Sequence, residues 1–201
     1  MKDDSSSMRR LKLALRHLGA TNFAGIARRY FVTNLFDGVL TALGLALGYY
    51  FAGGQRASTL LVSALAVSFG LGLSGFVSSY LTEVAERRRE LIEMEKALLR
   101  KLSGTIFGYT FELAALLSAL VNAIAPALGM LVVIAPVLAA DAIGLQAAVA
   151  LSALVGLAAL SVLGAYLAKI SGTSAIKYSA AMVGAGFAVA GVTVLLGSLG
   201  G

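Results

Sequence analysis

Five long stretches of this chain carry no charged side chain: Gly38 to Gln55, Ala57 to Thr82, Leu113 to Ala140, Ala142 to Ala168 and Tyr178 to Gly201. A helix needs about 20 apolar residues to cross the roughly 30 Å of bilayer hydrocarbon. Backbone polar groups in lipid must be satisfied within the segment, so single runs of this length are expected as helices. The sequence therefore predicts an all-α integral membrane protein of five transmembrane helices, at about 31–54, 58–82, 110–139, 143–168 and 177–199. Composition agrees: 59% of residues are hydrophobic and 13% charged, with a mean hydropathy of +0.89, far from the averages of soluble domains.

The third run contains Pro126 and Pro136, which remove backbone donors and should kink or end that helix near its far side. A six-span arrangement would split residues 104–140, but each half would be short and one would carry Glu112. Basic residues favour five spans. The segment to Arg29 holds seven, the 83–104 connection six and the 168–177 connection two; only Arg56 falls elsewhere. Five spans put fifteen of sixteen on one side of the membrane, as the retention of Lys and Arg in the cytoplasm requires. The amino terminus is then cytoplasmic and the carboxyl terminus outside.

Residues 1–29 are expected as a cytoplasmic basic segment, and 30–201 as one five-helix domain with a charged cytoplasmic helix at 83–102. In the amino-terminal segment Leu11, Leu15, Leu18, Asn22 and Ile26 recur at helical spacing, with Arg9, Lys12, Arg16, Arg28 and Arg29 mostly elsewhere around the helix. That pattern suggests an amphipathic helix on anionic lipid. His17, in the same segment, reads as a solvated or headgroup-facing side chain. Arg28 and Arg29 exclude a cleavable signal peptide. Topology already accounts for the net charge of +6, so nucleic acid is not an expected partner. There is no cysteine, and no phosphate loop, nucleophile–base pair or zinc-type histidine spacing appears. Neither an enzyme nor a tightly bound cofactor is expected.

Asp37 poses the sharpest question, because it lies at the head of the first apolar run, in "TNLFDGVLTALGLALG". An acidic residue at mid-membrane costs roughly 2.5–3.5 kcal/mol on insertion scales, and less near the interface. Either Asp37 is shallow enough to reach cytoplasmic water, or caps a helix break with Gly38, or it faces a polar path and binds a cation or proton. In the last case Asn34 and Thr41, one turn to either side, would add oxygen ligands. Glu112 is the second acid at membrane level. If its helix begins at Ile106 it is a buried carboxylate and a candidate proton carrier; if at Phe111, it is an acid favoured by the helix dipole.

The stretch "EVAERRRELIEMEKALLRK", Glu83 to Lys101, consists of strong helix formers and should carry the second span into the cytoplasm. Glu83, Glu86, Glu90 and Glu93 share one face, which either gathers hard or borderline cations or is one side of a solvated, salt-bridged helix. Gly44 with Gly48, Ser74 with Ser78, and Gly184, Gly186 and Gly191 allow close helix contact and self-association.

Three segments together resemble the vacuolar iron transporter and calcium-cross-complementing family of five-span membrane transporters. "FDGVLTALGLALG" is similar to that family's first span, "SGFVSSYLTEVAERRRE" to its second-span exit, and "LGAYLAKISGTSAIKYSAAMVGAGFAVAGVTVLLG" to its final two spans. The resemblance covers nearly the whole chain from about residue 30. It implies a homodimer in a prokaryotic cell membrane that moves divalent iron or manganese out of the cytosol in exchange for protons, with Asp37 as the first-span carboxylate on the path. Two departures stand against ferrous iron: Gly75 where iron-moving members place a methionine, and Ser79 where they place a glutamate. The connection after the second span is also too short for their Glu-rich metal-collecting module, of which Glu83, Glu86, Glu90 and Glu93 would be a remnant. The alternative expectation is a non-transporting scaffold or regulatory subunit on the same fold.

Overall fold

The computed structural model describes residues 13, 23–99, 101 and 106–199. These are helical almost throughout, with no strand among the described residues. In chain order the elements are α1 (Phe23–Phe51), α2 (Ala57–Leu98), α3 (Ile106–Ile134), a 3₁₀ turn (Ala135–Ala139), the short α4 (Ala140–Ile143), α5 (Leu145–Ser171) and α6 (Ala175–Leu199). Five helical segments are long and apolar enough to cross a membrane: Phe23–Phe51, Ala57–Leu98, Tyr109–Ile143, Leu145–Ser171 and Ala175–Gly197. The five expected spans each coincide with one of them.

Three boundaries refine the expectation. First, α1 is already helical at Phe23 rather than starting near Tyr30, so Ile26, Arg28 and Arg29 belong to it; Leu11, Leu15, Leu18, Asn22 and His17 lie outside the described residues. Second, the 42 residues of α2 are about 63 Å long, roughly twice the hydrocarbon thickness. The charged stretch from Glu83 onward is thus a continuation of the second span. Third, α3 runs through Pro126 without ending. The chain gives way beside Pro136, the second residue of the 3₁₀ turn.

The chain divides into two compact units, residues 1–31 with 73–124 and residues 32–72 with 125–201. In the second, the core is built from Val39, Ala42, Leu43 and Ala46 of α1, Leu60 and Ala64 of α2, Met130, Val133 and Ile134 of α3, Val137, and Val149 and Leu160 of α5. Lipid chains are as apolar as these side chains, so close packing rather than escape from water must hold such a core together. Small residues permit it. A Cβ on Gly38 would overlap the backbone of Pro126, and one on Gly129 would stand 2.5 Å from the Leu35 carbonyl oxygen. At this level α1 and α3 therefore touch backbone to backbone. The helices α5 and α6 form an antiparallel hairpin, where Gly164 lies under the backbone of Ser179 and Ser179 Oγ donates to the Ser161 carbonyl at 2.7 Å. Gly172, in the left-handed conformation at φ 67°, ends α5 and lets the chain reverse.

The first unit buries polar as well as apolar side chains. Ala114, Ala115 and Ala119 of α3 are fully buried, and so are Thr110 and Ser118 beside them.

Candidate functional site

Asp37 is the midpoint of the 29-residue helix α1, roughly 21 Å from either end at 1.5 Å per residue. Even a hydrocarbon slab matched to residues 31–51 would leave it about 9 Å inside. It therefore does not cap a helix break: the helix continues on both sides. The side chain is exposed on the surface of the chain, while its neighbour Gly38 is buried against Pro126. Asn34 and Thr41 flank it one turn away on the same helix and are half-buried. Three oxygen-bearing side chains thus follow one another along α1, beginning from an apolar core on the helix's other side.

In the first unit α1, α2 and α3 supply a second polar cluster. Glu83 and Arg87, one turn apart on α2, are 7% and 4% exposed. Tyr30 Oη donates to Glu83 Oε1 at 3.1 Å, and Arg87 Nη2 lies 3.2 Å from Glu83 Oε2. The Arg87 guanidinium sits 5.9 Å from the centre of the Phe111 ring, within range of a cation–π contact. The ion pair is electrostatic rather than hydrogen-bonded, since Arg87 Nε and Nη2 are buried with no hydrogen-bond partner. Two opposite charges removed from water persist only by mutual compensation. This arrangement is built to hold helices, and Glu83 is committed to it.

The remaining carboxylates of the α2 stripe go elsewhere. Glu86, Glu90 and Glu93 are exposed, and Glu93 accepts from Arg89 Nε at 3.2 Å. Among the described residues no three carboxylate or imidazole groups come together as a metal ion would need. The stripe expected as a possible metal-gathering face is therefore split between one buried, paired acid and a solvated helix surface. Glu112 is also exposed rather than buried, although α3 does begin at Ile106. It heads an outward stripe continued by Leu116, Leu120 and Ile124, every fourth residue along α3.

Gly75 forms a tight contact of α2 with α3, and Ser79 bonds back along α2 to the same residue. Asn122 Nδ2 donates to the Gly75 carbonyl at 2.8 Å, and Ser79 Oγ donates to the same oxygen at 2.6 Å. A Cβ on Gly75 would lie 3.2 Å from the Asn122 backbone carbonyl. That carbonyl has lost its usual helical donor, because the residue four positions on is Pro126. Asn122 is 6% exposed, with Oδ1 left unbonded.

Two of these features escape a reading of the sequence. Nothing in the sequence marks Arg87 off from Arg88 and Arg89 beside it, or ties Tyr30 to Glu83, 53 residues away. The available signal was the four-residue spacing of Glu83 and Arg87 at the boundary between the apolar and charged parts of α2. Asn122 had a clearer marker in the proline four residues after it.

No protein-family model matches the chain. It is similar to an uncharacterized protein of Methanocaldococcus jannaschii, with 28% identity over 186 residues, covering 91% of this chain and 95% of that protein.

Proposed function

We propose that this protein is a membrane transporter that moves divalent cations, iron or manganese, out of the cytosol in exchange for protons, working as a homodimer. The observation that carries the reading is Asp37, a carboxylate about a third of the way into the apolar part of α1, facing out of its own chain. Acids at membrane depth almost always face a polar path or a protein neighbour, because lipid offers them neither charge nor hydrogen bonds. A second copy of the chain against this face of α1 would supply that neighbour. Asp37 then binds the partly dehydrated cation, with Asn34 and Thr41 as further oxygen donors. A proton returning to Asp37 resets the site, and Glu112 is the second candidate proton carrier. All these donors are hard oxygens, which favours manganese over softer ions.

The second reading, a non-transporting scaffold, draws on Gly75 and Ser79. At the positions where iron-moving members of the resembled family carry a thioether and a carboxylate, this chain has a close helix contact at Gly75 and a serine bonded to its own helix at Ser79. Uptake of manganese and ferrous iron into proteoliposomes carrying a pH-sensitive dye separates the two. Metal entry with opposing proton movement, lost in Asp37→Asn, is the expected result. Absence of flux for both metals in folded wild-type protein would leave the scaffold reading standing.

A further inference from the structure

We propose that the stretch of α2 just beyond its apolar span is a binding site for the headgroup of an anionic phospholipid. A shallow groove runs along one side of α2, with Leu81 and Val84 at the membrane end, Ile92 in the middle, and Arg88 and Lys96 along its edge. Arg88, Ile92 and Lys96 are spaced four residues apart, so both cations stand on one face, one turn to either side of Ile92. The third cation there, Arg89, is occupied by Glu93 at 3.2 Å. Arg88 and Lys96 are exposed and form no hydrogen bond or ion pair among the described residues. The groove keeps a positive surplus after that pairing.

Position selects the ligand. Thr82 is the last uncharged residue before Glu83, so Arg88 stands about 9 Å and Lys96 about 21 Å further along the helix axis; Arg88 is at the outer edge of a headgroup layer roughly 5–8 Å deep, and Lys96 lies beyond it. Leu81 is 62% exposed and Ile92 43% exposed, an apolar track leading from the span to the cations. A soluble anion would use Arg88 and Lys96 but leave that track bare. An anionic phospholipid satisfies both, with its acyl chain along Leu81 and its phosphate at Arg88, whose long stem lies on the apolar surface while its charge reaches outward, and Lys96 adds to the positive field from further out.

The test is native mass spectrometry of the full chain in a neutral detergent, titrated with phosphatidylglycerol or phosphatidylcholine. A saturable preference for phosphatidylglycerol, weakened about tenfold in Arg88→Gln/Lys96→Gln, is the expected result. Lys169→Gln/Lys177→Gln removes two exposed cations elsewhere and should leave the preference unchanged. Equal loss in the two double variants would overturn the site in favour of general charge attraction. Displacement of the lipid by millimolar glycerol 3-phosphate would reassign the groove to a soluble anion, and equal binding of both lipids by wild type would dismiss it.

Discussion

The side-chain amide of Asn122 reaches the backbone carbonyl of Gly75 at 2.8 Å, and the two residues meet closely enough that a Cβ at position 75 would stand 3.2 Å from the Asn122 carbonyl oxygen. That oxygen is the one Pro126 has deprived of its helical donor. A proline inside a membrane helix is tolerated where neighbouring helices pack closely around the freed backbone group, and α2 approaches α3 closely at Gly75.

Replacing Gly75 with methionine, the residue of the resembled iron transporters, should therefore destabilise the protein. The cost of overpacking a tight contact is about 1–3 kcal/mol, and it should appear as a lower unfolding temperature in detergent. Gly184→Ala is the control, since nothing lies within 4 Å of a Cβ there; it should be neutral or stabilising by up to about 1 kcal/mol through helix propensity.

The Glu83–Arg87 pair predicts non-additive mutants. Arg87→Met alone strands a buried carboxylate and should cost about 3–5 kcal/mol. Adding Glu83→Gln removes the stranded charge and should recover most of that loss. Thermal melts of the two single variants and the double variant measure the coupling; additive effects would mean that the two charges do not compensate one another.

At the contact of α1 with α3, Gly38→Ala should cause a larger loss than Gly129→Ala. A Cβ on Gly38 would overlap three backbone atoms of Pro126, whereas that on Gly129 meets the Leu35 carbonyl at 2.5 Å and the Val39 nitrogen at 3.0 Å. Backbone cannot rotate away as a side chain can, so both should exceed about 1 kcal/mol. Yield and monodispersity after detergent extraction give the first readout.

Asp37→Asn should leave the helices intact, because the side chain contributes nothing to the described core. Its unfolding temperature should match or exceed that of wild type, since an amide is easier than a carboxylate to keep in a membrane. A marked loss of stability would instead give Asp37 a structural partner.

The sequence alone determined the five spans, because length and hydropathy are properties of a segment and lipid imposes helix on each of them. It also determined that α2 outruns the membrane, through a run of helix formers without glycine or proline. Spacing on α2 put Glu83, Glu86, Glu90 and Glu93 on one face, but it did not say which of them would be covered. Only Glu83 is, because Tyr30 and Arg87 meet it at that height; burial depends on neighbours contributed by other helices. The same holds for Glu112, whose helix start was foreseen as one of two choices while its outward direction was not. Asp37 was visible as an anomaly from its charge. That it faces away from its own core was decided by Gly38, the residue beside it, whose missing side chain lets α1 press its opposite side against α3.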